Sequence, residues 1–449
     1  MGLPPGPSRP MLAQMAGWVM RPDAFLTGCQ RRYGDSFTVR LLGFGEGGAT
    51  RVVLTCDPAA IKLLFTAGPE VAPVGASRQS LAPLFGRRSV LLLDGKPHLR
   101  QRRLMLPPFH GDRMAGYGGL IAQIAEEELE RWPLRKPFAL QPRMQEITLE
   151  VILRVVFGVE DLERRGELRR RIKRALDVIS NPLAELLVGL PARIGPLNLR
   201  AGFERRVAEV DELLFDEIAR RRVDPALAER EDILSLLLAA RDEHGEAITD
   251  AELRDQLVTL LAAGHETTAT ALAWTFEHLF RRLDAHERLV AEIRDGDGDD
   301  AFLEAVIRET LRLRPPLPVA DRTLAAPIEL DGHELPGGTV AAACIYLAHR
   351  RPDLYPDPDA FLPERFLDRA PETYGWVPFG GGIRRCLGAA FATFEMKTVL
   401  KTVLARAALR PASARAESIR RRAIVLAPRH GARAVLTARA PARQPPGEV

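Results

Sequence analysis

The chain has 449 residues, 46% of them hydrophobic, a formal net charge of +4 and a pI of about 9.0. That supplies apolar mass for a large core and allows two or three domains by length alone. Charge is plentiful but nearly balanced, so nucleic-acid binding is not demanded. Cys29, Cys56, Cys344 and Cys386 are scattered with no C-x-x-C pair. This argues against a zinc site or a disulfide framework and for a reducing cytosol. No apolar run approaches the roughly 18 residues of a membrane span.

The chain opens on Pro4, Pro5, Pro7 and Pro10, unlike a signal peptide. Residues 35–43 alternate around Phe37, Val39 and Leu41, and 51–56 form a second β-rich run. With the Tyr33-Gly34-Asp35 turn before them, they predict an early hairpin. Pro97 opens a predicted helix on which His98 and Arg102, four apart, share a face. From about 112 to 285 apolar residues recur at three- and four-residue spacing, which predicts helices. Breaks fall at Pro182, Pro191–Pro196, Pro225 and Asp242–Gly245. The basic run Arg169-Arg170-Arg171-Ile172-Lys173-Arg174 sits among Leu168, Ile172, Leu176 and Ile179 at helical spacing. It reads as a solvated helix face rather than a nucleic-acid patch.

Thr249 and Glu252 form a capping box. The helix it starts is predicted to reach about Arg282, about 50 Å at 1.5 Å per residue, so it should cross the core. In its middle lies Ala263-Gly264-His265-Glu266-Thr267-Thr268. Small residues there would let something flat approach, and an acid and an alcohol interrupt an apolar stretch. A zinc-protease reading of His265-Glu266 fails, because position 269 is Ala269 and not histidine. Back-bonding of Thr267 to a carbonyl would bend the helix, which is compatible with a functional role.

The stretch Asp295 to Asp300 mimics a calcium loop, but Asp300 replaces the required glycine and Val306 the closing glutamate. It reads as an acidic turn. Glu309 and Arg312 stand one helical turn apart, a pair worth about 0.3–0.5 kcal/mol if exposed. Short strands are predicted near 327–347, and a last hairpin at 423–436 around Pro428-Arg429-His430-Gly431. The Pro-rich end, 440–449, is expected to be disordered.

Phe379-Gly380-Gly381-Gly382-Ile383-Arg384-Arg385-Cys386-Leu387-Gly388 places Cys386 after a glycine-rich loop, beside two arginines. An apolar helical run, Leu387 to Leu404, follows. Helix N-terminal N–H groups and cations favour a thiolate over a thiol. Such a thiolate suits a nucleophile, a redox centre or a metal ligand. Among metal centres, one thiolate with no partner cysteine suits the axial position of a haem.

Phe379, Gly382, Arg384, Cys386 and Gly388 match F-x-x-G-x-R-x-C-x-G without a gap. This resembles the haem-thiolate loop of the cytochrome P-450 superfamily. Ala263 to Thr268 resembles the family's [AG]-G-x-[DE]-T-T motif. Glu309 and Arg312, followed by Pro315-Pro316 and by Phe361-Leu362-Pro363-Glu364-Arg365-Phe366, resemble its E-x-x-R and P-E-R-F elements. His98 and Arg102 resemble its [WH]-x-x-x-R segment, with His98 where many members carry Trp. Leu3-Pro4-Pro5-Gly6-Pro7 resembles the hinge that follows the anchor of membrane-bound relatives, but here it follows almost nothing, so a soluble protein is expected.

The resemblance covers nearly the whole chain. It implies a mainly α fold with small β-sheets (α+β): a triangular, helix-rich single domain over 1–449, with a Pro-rich segment at 1–10. Haem b (iron protoporphyrin IX) would lie between the long central helix and the cysteine loop. Cys386 would bind the iron, and His98, Arg102, Arg322 and Arg384 would meet the propionates. Ala263, Gly264, Thr267, Thr268, Val319, Pro378, Phe379, Gly380 and Gly388 would complete the cofactor's surroundings. Thr267 would stabilise bound dioxygen and Glu266 would help deliver protons. Glu309, Arg312 and Arg365 would form a structural triad locking the loop that leads to Cys386.

The implied activity is insertion of one oxygen atom of O2 into a small hydrophobic substrate by a cytoplasmic, bacterial-type monomer. Electrons would come from outside, from a ferredoxin and its reductase or a flavodoxin-type donor. Arg100, Arg103 and Arg385 could dock such an acidic partner. The substrate pocket would be aliphatic, lined by 73–90, 180–196, Ala262–Thr268 and Leu317–Ala320. A haem sensor or carrier would have no need of the Glu266–Thr267 pair, and relatives driven by peroxide usually lack it.

Overall fold

The computed structural model describes residues 2–42, 49–109, 111–179, 193–194, 197–198, 201–296, 299–367 and 369–441. The expected pocket wall at 180–196 and the tail at 440–449 therefore lie largely outside the described residues.

The spine is the helix Asp250–Arg281, started by the capping box as predicted. The Thr249 hydroxyl accepts from the Glu252 N–H at 3.3 Å, and Glu252 Oε2 accepts from the Thr249 N–H at 2.9 Å. Glu252 Oε1 takes Arg100 Nη1 at 3.0 Å and Gln101 Nε2 at 2.6 Å, which ties the helix Gly95–Met105 to the cap. Leu253, Leu257, Leu272, Phe276 and Leu279 of the spine are fully buried. Each contributes roughly 1.5–3 kcal/mol relative to exposure, so this helix organises the core. It packs against the helices Leu140–Val151, Ala201–Arg222, Ala301–Leu313 and Ala389–Arg406. Among the described residues, no helix is long and apolar enough to cross a membrane.

The early hairpin forms as predicted, Ser36–Leu42 against Ala49–Thr55. The Pro-rich start lies along it: Thr38 Oγ1 donates to Pro4 O at 2.6 Å and the Thr38 N–H to Pro5 O at 3.0 Å. Strand Val340–Ala343 pairs parallel to Ala49–Thr55, and Ala320–Thr323 pairs antiparallel to it. The strand Ala320–Thr323 carries no alternating signal and escaped the sequence reading. So did Pro137–Ala139, a strand inside the zone expected to be helical.

The last hairpin is not the one expected. Val425–Pro428 pairs with Ile419–Arg422, through a turn at Ala423 with φ +48°. Arg433–Arg439 instead joins Ala407–Pro411 and Pro137–Ala139 in another sheet. The turn at Gly431 therefore connects two sheets. The basic run behaves as a helix face: Leu168 and Ile172 are buried, while Arg169, Arg171 and Lys173 are ion-paired to glutamates. Asp300 closes the acidic turn in a left-handed conformation, held by Lys397 at 3.2 Å and Lys401 at 2.5 Å.

Candidate functional site

Cys386 follows the short turn Gly382–Arg384 and precedes the helix Ala389–Arg406. Its N–H donates to Phe379 O at 2.8 Å and closes the loop. Gly380 and Gly382 hold φ of +68° and +61°, where only glycine is unstrained. A Cβ at Gly382 would stand 2.0 Å from Phe65 O. This glycine permits a close approach to the helix Pro58–Thr66. The Cβ positions of Gly380 and Gly388 meet no protein atom within 4 Å.

Cys386 has an exposed surface, yet protein crowds its sulfur closely enough that burial is the strongest influence on the thiol. Burial raises its pKa, opposed by the Gly388 N–H and by Arg102 and Arg385. The N–H groups and cations read from the sequence are present, but alone they do not overcome desolvation. A bound metal cation is what would ionise this sulfur.

The expected cations gather around the loop. Arg102 shares an electrostatic field with Cys386 and Arg385. His98 is buried, its Nδ1 has no partner among the described residues, and burial with Arg384 and Arg102 nearby pushes its pKa down to about 4. It stands ready as a neutral hydrogen-bonding group. Arg322 is buried, pushed down to about 10 by desolvation, and donates to Asp321 O at 2.8 Å. Arg78, which no motif marked, adds a cation here through its 3.4 Å pair with Asp321.

Arg384 has another engagement. It donates to Val90 O at 3.0 Å, to Leu93 O and to Asp94 Oδ1 at 2.5 Å, while Asp94 accepts from the Val74 and Gly75 N–H groups at 2.9 Å. Arg384 thus braces the segment before the helix Gly95–Met105. Pro378, Phe379 and Val319 are half-buried near these groups.

On the spine, Ala263 is exposed and Thr267 half-buried on the same face; Thr267 Oγ1 donates to Ala263 O at 2.5 Å. Gly264 points elsewhere, its Cβ position 3.6 Å from Ile152 Cδ1. Thr268 is buried. Glu266 is mostly buried, which raises its carboxyl pKa, opposed by Arg422, Gln145, Gln141 and Arg420. His265 bonds Thr148 through Nδ1 at 3.0 Å, and burial pushes it down to about 4. A small apolar slit lies beside Ala262, walled by Leu84, Ile172, Val207, Val258 and Leu261. The larger cavity, about 210 Å³, is an ion-paired cleft around Glu146, Glu150, Arg165 and Arg169 with no nucleophile.

The triad forms, and it is buried rather than exposed. Glu309 and Arg312 are both 0% accessible. Arg312 donates Nε and Nη2 to the two carboxylate oxygens at 2.6 and 2.8 Å, and Arg365 Nε reaches Glu309 Oε1 at 3.2 Å. Arg312 also donates to His349 O, Pro358 O and Ala360 O at 2.7–2.9 Å. No motif marked His349. Its Nδ1 donates to Arg312 O at 3.1 Å and its Nε2 accepts from the Val377 N–H at 2.8 Å. Burial holds this ring neutral, with a pKa near 3, as both bonds require. The link from triad to cysteine loop runs through this imidazole. Arg100 is held by Asp242 and Glu252 at 2.5 and 3.0 Å, whereas Arg103 stays exposed in a surface pair with Glu243 at 2.8 Å. Arg385 stays exposed.

A cysteine with exposed surface, a buried imidazole nitrogen without a hydrogen-bond partner among the described residues, and several neighbouring arginines fit a flat group carrying a soft-ligand metal and two carboxylates, as haem does. Fold and donor set together define a haem-thiolate protein. The family model for cytochrome P450 matches residues 4–432, and the chain belongs to that family, whose members are haem-iron monooxygenases. It is 43% identical over 437 residues to a Mycobacterium tuberculosis protein numbered cytochrome P450 135B1, covering 96% of this chain and 91% of that one. That relative is named for its family and not for a reaction. A Mycobacterium bovis relative, numbered 138, is 37% identical over 97% of both chains. Among solved structures, retinoic acid-bound cyanobacterial CYP120A1 superposes with TM-score 0.81 at 25% identity, over 98% of this chain and all of that one. The cytochrome P450DA heme domain matches in fold, with TM-score 0.82 at 22% identity and 98% of each chain covered.

Proposed function

We propose that this chain is a single-domain, cytoplasmic, monomeric monooxygenase acting on a small hydrophobic molecule of the terpenoid, steroid or fatty-acid kind. Haem held by Cys386 would activate O2, using electrons from a ferredoxin and its reductase or a flavodoxin-type donor. His98, Arg102 and Arg322 would hold the propionates, with Arg384 bracing the loop beside them. Thr267 presents a hydroxyl on the same open face as Ala263, and Glu266, one residue before it, holds a proton-exchanging group out of bulk water. That acid–alcohol pair is the observation carrying the reading, since oxygen insertion consumes protons on that side and ligand carriage does not. The aliphatic slit beside Ala262 and the retinoic acid in the cyanobacterial neighbour support an apolar substrate. Arg385 and the exposed Arg103 would serve as docking cations for an acidic donor, without Arg100, whose charge Asp242 and Glu252 take.

The test compares product formed with NADPH and redox partners against peroxide alone, after the ferrous carbonyl complex has shown thiolate ligation. Turnover with peroxide but none with electron donors would reject the reading. A Soret band lacking the thiolate signature would reject Cys386 as ligand.

A further inference from the structure

Both oxygens of Glu266 are held by groups that no motif marked. Gln145 Nε2 donates to Oε2 at 2.5 Å. Gln141 Nε2 donates to Oε1 at 3.3 Å and reaches Thr270 Oγ1 at 3.4 Å. Arg422 Nε stands 3.6 Å from Oε1. Gln141 and Gln145 lie four apart on the helix Leu140–Val151 and so share a face. Arg422 ends the strand Ile419–Arg422, just before the Ala423 turn. Its side chain is 24% accessible, against 17% for Glu266, so the pair reaches the surface. The hairpin is fixed to the spine two turns further on, where Trp274 Nε1 donates to Leu426 O at 2.8 Å. Glu266 itself makes no hydrogen bond to Thr267 among the described residues.

We propose that Gln145 and Arg422 are positioning residues for Glu266: they hold its carboxylate in place and make the hairpin 419–428 its connection to solvent. The consequence for turnover rests on the reading of Glu266 as a proton donor; the positioning itself does not. Gln145 and Gln141 donate to the acid and Arg422 acts on it through its charge; all three favour its ionised form, while burial opposes it. The charged groups facing it are Arg422 and Arg420 from the hairpin; the helix Leu140–Val151 contributes the neutral Gln141 and Gln145. Lys173 of the helix Leu162–Ile179 acts on the neighbouring His265, which is neutral.

The experiment is an infrared difference titration of the haem-loaded protein against pH. The carboxyl stretch of Glu266 is identified by its loss in Glu266→Gln. In Gln145→Leu and in Arg422→Met its midpoint is expected to rise by about one pH unit, the size of one charge-assisted hydrogen bond. Arg422→Lys should restore most of the parent value. Unchanged midpoints in both variants, with folded proteins by circular dichroism, would overturn the positioning role. Product formed per electron is then measured on the same proteins. If the midpoints move but Glu266→Gln couples as well as the parent, positioning stands and the proton-donor reading falls. If Glu266→Gln loses coupling while the midpoints stay fixed, the donor reading stands and positioning falls.

Discussion

Glu309 and Glu266 are both carboxylates inside helices, both near arginines, and their surroundings oppose each other. Glu309 accepts from Arg312 twice, from Arg365 and from the Leu362 N–H, all within 3.2 Å, with no accessible surface. Glu266 has two amide donors and an arginine at 3.6 Å, and keeps some accessible surface. A saturated buried ion pair has one stable arrangement and is costly to break. A partly satisfied acid at the edge of the core can exchange both partners and protons. One carboxylate suits a lock and the other a relay. Glu395 marks a third limit: it is buried, its Oε1 has no partner among the described residues, and desolvation pushes its carboxyl up to about 8.

The largest effect should come from breaking the lock. Arg312→Ala takes two of the four donors from Glu309, including its closest ion pair, in the core, and should cost roughly 3–5 kcal/mol. Thermal unfolding and haem content per mole would show it; a variant that keeps both would erase the contrast. Next is Glu395. The unfolded chain releases this proton near pH 4.5 and the folded one near 8, so stability should fall as pH rises from about 5 to 8 and level off above. The loss should be roughly 4–5 kcal/mol, and Glu395→Gln should remove that slope from unfolding curves taken across the range. Thr267→Ala should lower product per electron roughly tenfold with the carbonyl spectrum unchanged. Full coupling in that protein would end the assignment of Thr267. Arg365→Lys keeps the charge but loses the planar fork, and should cost about 1 kcal/mol by unfolding.

What the sequence disclosed follows distance along the chain. The capping box at Thr249, the Glu309–Arg312 spacing and the cysteine loop are local patterns, and each stands where it was read. The last hairpin was misplaced because Val425–Pro428 had two candidate partners of similar character, and tertiary packing chose the earlier one. Gln141, Gln145, Arg422 and His349 act through contacts far apart in sequence, and nothing beside them in the chain announces a partner. Arg100 and Arg103 looked like free surface charge for the same reason: their acids lie far downstream. Gly382 was legible as a turn residue, but what it clears could be learned only from its neighbour.

The pass of Gly382 over Phe65 also bears on assembly. The turn before Cys386 is seated on an early helix, more than 300 residues away in the chain. Contacts of such long sequence separation close late, after their loop entropy has been met. The cysteine loop therefore gains its seat late in folding, once most of the chain between the two has found its place.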